Sequence, residues 1–253
     1  MKNKVWTEII LNDIHIPKQN KKALNCVFKV IQKVKPDGIT LNGDIGDWGT
    51  FSRHDITKFP KKNWTDSQFY DDSLKSYTEL NEFLDRIDKT HKFKKKNWLH
   101  GNHEVWVDSF IQESPQTRRQ LFDIAQRLDL VKRGYKITKY NDFINLGKLK
   151  VTHGIYTGQH HAKKHVDMMG SSILYGHVHD LQTYSKTTPD KISHMAWSNG
   201  CLCDLNPCYL RGRPQNWNHG FALVYVWPNR DFQVDIVRIQ KGKCLIWGEE
   251  IKG

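Results

Sequence analysis

The sequence predicts an α/β domain wound from strand–helix–strand units in its first half, with a last third that is mainly antiparallel β. Three observations carry this. A mostly apolar run, Val5 to Leu11, is followed by helical periodicity through Val34 and then by a short apolar run, Ile39 to Leu41, with glycines at its exit. That is a βαβ pattern, which implies parallel pairing and a right-handed crossover. Beyond residue 180, short stretches alternate apolar with polar residues and are separated by turns, the period-two signature of half-buried strands. Finally, the polar clusters sit directly after apolar runs, at the carboxyl ends of strands, where open α/β sheets carry their sites.

In chain order, Val5 to Leu11 ends in Asn12-Asp13-Ile14-His15; if the strand continues to His15, Asp13 and His15 point to the same side. Pro17 is read as opening a helix at its first turn, with Ala23, Leu24, Val27, Phe28, Val30, Ile31 and Val34 as its apolar stripe. The second strand exits into Asn42-Gly43-Asp44-Ile45-Gly46-Asp47. From Trp48 to Asp72 periodicity is lost, while aromatic residues interleave with Arg53, His54, Lys58, Lys61 and Lys62. This segment reads as a cap or loop near the site; its aromatics either stack on bases or pin the loop to the body. Ser73 to Asp88 is helical, with Leu74, Tyr77, Leu80, Phe83, Leu84 and Ile87 on one face. The pair Trp98-Leu99 closes a buried strand before His100-Gly101-Asn102-His103-Glu104, a tight turn into a helix.

Two helices follow, over Val105 to Ile111 and Thr117 to Leu130, and then a two-strand meander, Asp142 to Leu146 and Leu149 to Thr152, that ends in His153-Gly154. A helix is expected over Gln159 to Met169. Its His161 and His165, four apart, either share a metal or lie on a packed or solvated face. Ser172 to Tyr175 ends in Gly176-His177-Val178-His179, and Thr183 to Lys186, Lys191 to Trp197, Phe221 to Trp227, Phe232 to Ile239 and Lys243 to Trp247 are the remaining strands.

The 253 residues contain no repeat and no linker, so one domain, 1–253, is expected, with 48–72 as an insertion near the site. A hydrophobic content of 38% with 26% charge excludes a disordered or fibrous chain. No apolar run reaches the ~20 residues of a membrane span, and no signal peptide is recognisable, so a cytoplasmic protein with no membrane partner is expected. Five cysteines in such a chain are expected to be reduced; Cys201, Cys203 and Cys208 share a loop but lack paired zinc-site spacing. The net charge of +12, spread along the chain, either collects a polyanionic partner, nucleic acid being the obvious one, or merely aids solubility. Arg211 and Arg213, in a Gly/Pro/Asn-rich loop with Trp217 and His219, either grip a phosphate or clasp the loop; His54 is a further candidate to hold phosphate.

Together the clusters supply two aspartates, an asparagine and five histidines. Carboxylate, imidazole and amide oxygen without thiolate suit manganese, iron, zinc or nickel better than copper(I). Two cations ~3.5–4 Å apart form a clamp for in-line displacement at phosphorus, with a hydroxide available at neutral pH; an imidazole that is not a ligand can protonate the leaving alkoxide.

The set Asp13-Ile14-His15, Gly43-Asp44-Ile45-Gly46-Asp47, Gly101-Asn102-His103-Glu104, His153-Gly154 and Gly176-His177-Val178-His179 resembles the calcineurin-like metallophosphoesterase superfamily, with all five motifs in the family's order. The resemblance implies a four-layered α/β/β/α sandwich, two mixed sheets flanked by helices, with a dimetal site at one sheet edge. It implies that Asp13, His15 and His179 hold one metal, that Asn102, His153 and His177 hold the other, and that Asp44 bridges. It implies His103 as the general acid and Asp47 as its orienting partner, where the competing role for Asp47 is a turn cap. Trp48 stands where the protein serine/threonine phosphatase branch has arginine, which argues against a protein phosphatase. The stretches Trp197 to Leu202 and Trp217 to Phe221 are similar to those of uncharacterised phosphoesterases of bacteriophages and bacteria.

The resulting expectation is a dimetal-dependent hydrolase of phosphate esters, manganese first among its metals, acting on phosphodiesters and by charge on DNA or RNA. A phosphomonoesterase, a small cyclic-nucleotide phosphodiesterase and a catalytically silent scaffold are the alternatives. Oligomeric state is not legible.

Overall fold

A computed structural model describes residues 4–52, 65–113, 115–207 and 210–253. The centre of the expected cap, with His54, lies outside the described residues, as does Cys208. The elements run β1 (Trp6–Leu11), α1 (Lys21–Val34), β2 (Gly38–Asn42), α2 (Asp66–Thr90), β3 (Lys95–Leu99), α3 (Asn102–Gln112), α4 (Pro115–Phe122), α5 (Ile124–Arg127), β4 (Tyr135–Thr138), β5 (Ile144–Leu146), β6 (Leu149–Thr152), α6 (His161–Met169), β7 (Ile173–Tyr175), β8 (Leu181–Thr187), β9 (Ser193–Asn199), β10 (His219–Val226), β11 (Phe232–Ile239), β12 (Lys243–Ile246) and β13 (Glu249–Lys252).

Two sheets form. The first has the order β11-β10-β1-β2-β3-β4 and the second β5-β6-β7-β9-β8, while β12 and β13 pair separately. Strands β1 to β4 are mutually parallel, with Ile9 opposite Ile39 and Leu41 opposite Trp98. Strands β10 and β11 add antiparallel at the β1 edge. In the second sheet β6, β7 and β9 are parallel, flanked by antiparallel β5 and β8.

Strand alternation sorts the core into three layers. Ile9, Leu11, Ile39, Leu41 and Trp98 face the helices, packing on Leu24, Val27, Phe28 and Ile31 of α1 and on Tyr77, Leu80 and Leu84 of α2. Ile10, Leu99, Ala222 and Val224 face the other way and meet Leu149, Val151, Leu174 and Trp197 of the second sheet. On that sheet's outer face Ile173, Tyr175 and Ala196 lie under Ala162 and Val166 of α6. At ~1.5–3 kcal/mol for each large apolar side chain withdrawn from water, these layers hold the sheets in the order helices, sheet, sheet, helix. That is the expected four-layered sandwich. No described helix is long and apolar enough to cross a membrane.

Some local expectations shift. Helix α1 begins at Lys21, where the Asn20 side chain accepts from Ala23 N at 2.9 Å, so Pro17 lies in the preceding turn rather than in the first helical turn. Helix α2 starts earlier than its apolar stripe, at a Thr65/Gln68 capping box. Trp48 and Phe51 are buried, and Phe51 packs edge-on to Phe69, Phe110 and Phe122, so these aromatics pin the described ends of the segment to the body. Strands β4 and β13 were not legible, being four residues each and rich in charge or at an edge.

Candidate metal centre

Because the parallel strands of both sheets run the same way, the loops leaving β1, β2, β3, β6 and β7 meet at one edge. Backbone bonds lace them together. Asp13 N donates to Gly43 O at 3.1 Å, His15 N to Asp44 O at 3.0 Å and Gly176 N to His153 O at 2.7 Å. Strand β1 stops at Leu11; Asp13 and His15 share a site because these bonds carry the chain onward, not because the strand continues.

The backbone here is strained. Asp13, His15, Asp44, His177 and His179 have φ of 50°, 51°, 50°, 72° and 63°, in the left-handed region that costs a non-glycine residue ~1–2 kcal/mol. Strain of this kind persists where surrounding structure over-determines it, and it clusters at functional sites. Two glycines make the close approach possible. A Cβ on Gly43 would lie 2.4 Å from His153 Nδ1, and one on Gly101 would lie 2.2 Å from Asp44 Oδ1.

A residue that carried no role in the sequence reading holds the loops in register. Glu104 is fully buried and its carboxylate takes five N–H donors. Oε2 accepts from Gly101 N at 2.8 Å and Asp44 N at 2.9 Å. Oε1 accepts from Ile45 N at 3.1 Å, Trp48 Nε1 at 3.3 Å and Gly46 N at 3.4 Å. The signal was its place three residues into α3, where a glutamate reaches back over the helix start.

The donor atoms converge on Asp44. Its Oδ2 lies 3.3 Å from His153 Nε2 and 3.8 Å from both His15 Nε2 and His103 Nε2. His179 Nε2 is 3.1 Å from Asp13 Oδ1 and 3.2 Å from His15 Nε2. Asn102 Oδ1 is 3.2 Å from His153 Nε2, and His177 joins Asp44 and His153 within 4.8 Å. Donors sharing an ion at ~2.1 Å stand roughly 3.0–3.4 Å apart, the spacing of the four shortest of these contacts. Asp13 Oδ1 is buried with His179 Nε2, itself an expected ligand, as its nearest polar neighbour at 3.1 Å, so a cation between the two could replace the proton they share. Residues and spacing therefore fit a pair of divalent ions.

Electrostatics agree. Burial opposes charge throughout, yet Asp44 prevails over it to raise His153 to about 9, and Asp13 raises His179 to about 10. Asp44 is held well below the carboxylate range against burial by His153 and His103, and Asp13 is lowered against burial by His179. Two anionic carboxylates among imidazoles leave the pocket holding protons that a cation would displace.

His103 Nδ1 donates to the main-chain oxygen of Asp47 at 2.5 Å. The Asp47 carboxylate does not orient His103. It pairs with Lys18 Nζ at 2.7 Å and faces His15 Nδ1 at 3.5 Å, because the turn aims the carbonyl, not the side chain, at α3. The sequence reading missed the surroundings of His179. Cys203 Sγ lies 3.8 Å from its Nδ1, and the Trp217 ring is edge-on at 4.2 Å. Arg211 and Arg213 are exposed farther along the loop before β10.

A sequence model described as calcineurin-like phosphoesterase matches residues 9–237. The chain belongs to that family. Membership implies metal-dependent hydrolysis of phosphate esters. A relative, Gene 54 protein of Mycobacterium phage L5, is 26% identical over 256 residues, covering 95% of this chain and 96% of its own. Among solved structures, vacuolar protein sorting 29 from Cryptosporidium parvum aligns over 98% of this chain and 99% of its own at 12% identity and a TM-score of 0.51, a likeness of fold. A phosphoesterase from E. coli aligns over 90% of this chain and 98% of its own, at 12% identity and a TM-score of 0.38.

Proposed function

We propose that this chain is a dimetal phosphodiesterase acting on DNA or RNA. The observation that carries the metal centre is the convergence on Asp44, with Asp13 Oδ1 buried beside His179 Nε2 at 3.1 Å. Asp13, His15 and His179 would hold one ion, Asn102, His153 and His177 the other, and Asp44 both. Manganese is the first candidate, ahead of iron, zinc and nickel. When bound, the pair supplies Lewis acidity that activates water and offsets charge on the phosphoryl oxygens.

The chain's own residues do the rest. The His103 Nδ1 proton is committed to the Asp47 carbonyl, so a proton given to a leaving group can come only from Nε2, which faces the cluster. Burial lowers the His103 pKa against the pull of Asp44, making the imidazolium a readier donor to a leaving alkoxide. Asp47 buttresses His15 from behind and holds Lys18 at the rim. The net charge of +12 supports a polyanionic substrate, which Arg211, Arg213 and His54 would help to grip.

A manganese-supplemented panel of aryl monoester, aryl diester, cyclic dinucleotide, and single- and double-stranded DNA and RNA tests this. Turnover of nucleic acid supports the proposal. Turnover of the monoester or cyclic dinucleotide alone replaces the substrate class, and a metal-loaded protein inert on all of them indicates a scaffold.

A further inference from the structure

Helix α6 carries two buried histidines that take no part in the chemistry above. Four apart, they suggest a shared ion, but every ring nitrogen is engaged. His165 Nδ1 donates to His161 O at 2.8 Å, and its Nε2 accepts from Ile155 N at 3.2 Å and Tyr156 N at 3.4 Å. His161 faces Asp180 Oδ2 through Nε2 at 3.0 Å and the Tyr175 hydroxyl through Nδ1 at 2.6 Å. No lone pair is left for a metal.

The partners of these two rings are the residues next to three expected ligands. Ile155 and Tyr156 follow His153, Tyr175 precedes His177 by two positions, and Asp180 follows His179. We propose that His161 and His165 are positioning residues that tie the loops bearing His153, His177 and His179 to one helix, and so set the affinity of the cluster for divalent cations. The proposal rests on the reading of that cluster as a metal centre.

Three further observations support it. Both rings are buried, and His165 stacks on Tyr175 at 3.8 Å between centroids, so the ring cannot swing away. Burial pushes the His165 pKa down to about 4, which keeps Nε2 unprotonated and able to accept. The Asp180 carboxylate can only accept, so His161 Nε2–H donates to it, while Nδ1 of the same ring meets the Tyr175 hydroxyl at 2.6 Å. The tether is thus a directed chain of hydrogen bonds. Ligands held by short loops need such support, and its loss typically costs 10–100-fold in metal affinity.

The test combines metal-free and metal-bound measurements on the full chain. In metal-free protein, imidazole nitrogen NMR should show His165 protonated at Nδ1 and bare at Nε2. His165→Phe keeps the ring and removes the acceptor, so amide exchange at Ile155 and Tyr156 should rise at least about tenfold while that of β1 and β2 stays unchanged. Its manganese Kd should rise ~10–100-fold. His165→Gln, whose side-chain oxygen can occupy the place of Nε2, should recover most of that loss. Tyr175→Phe, which deletes one oxygen and keeps the packing, should give a smaller loss and serves if His165→Phe does not fold. A proton on Nε2, unchanged exchange at 155 and 156, or lower stability with a wild-type Kd would overturn the proposal. Wild-type protein that binds no manganese, with the tautomer and exchange results as expected, would instead overturn the metal reading and the affinity claim with it.

Discussion

Replacing Glu104 by Gln changes one oxygen to an amide nitrogen at nearly constant volume, in a side chain with no exposure. The carboxylate now serves five donors, two on Oε2 and three on Oε1. If the amide oxygen takes the place of Oε2, Ile45 N, Gly46 N and Trp48 Nε1 lose their acceptor and face an NH2 group. If it takes the place of Oε1, Asp44 N and Gly101 N lose theirs, and these are the shortest bonds. At least two buried donors are orphaned either way. At ~1–3 kcal/mol each, the cost is ~2–6 kcal/mol, a large share of the ~5–15 kcal/mol that holds a domain folded. With a urea m-value of ~3 kcal/mol/M, the midpoint of reversible unfolding should fall by roughly 0.7–2 M in chelated protein. The same bonds hold Asp44 over Gly101, so manganese affinity should fall as well. A midpoint within ~0.2 M of wild type, with intact metal binding, would refute the argument that this carboxylate fastens the β2 and β3 loops together.

His103→Ala should retain metal stoichiometry by elemental analysis and lose ~10²–10⁴-fold in turnover on esters with poor leaving groups, with a smaller loss on aryl esters. Gly101→Ala places a methyl 2.2 Å from Asp44 Oδ1, so calorimetric titration should show manganese affinity down by ~10-fold or more. His153 and His179 are raised to about 9 and about 10 in the metal-free fold, Asp44 and Asp13 prevailing over burial. Their contribution to stability is complete below the unfolded value near 6.5 and is lost as pH rises through 9–10. Chelated protein should therefore melt lower at pH 10 than at pH 7. For the same reason metal uptake at pH 7.5 should release about two protons, measurable as a dependence of binding heat on buffer ionisation enthalpy; a heat independent of buffer would contradict those raised pKa values.

The clusters were legible because they rest on a local rule, whereas the four-layered order was expected only from the family resemblance. Within those layers it is the structure that splits Ile9 and Leu11 from Ile10, and Ile173 and Tyr175 from Leu174. Each cluster follows an apolar run, and a run of that kind places its exit at a sheet edge. The Thr65 capping box and the charged strand β13 were not read, since their signals are single residues or short segments whose state depends on a neighbour.

What the sequence determined by itself was the set of groups: Asp13, His15, Asp44, Asn102, His103, His153, His177 and His179, on loops after strands, in a layered α/β chain. What only the tertiary structure decided was the wiring behind them. Glu104 gathers five donors, the Asp47 carbonyl rather than its carboxylate holds His103, and His161 and His165 fasten the loops of the second sheet. Ligand chemistry is written in residue type and local spacing. A hydrogen bond between residues tens of positions apart depends on the direction of two backbones at the point where they meet, and that direction exists only once both sheets have packed.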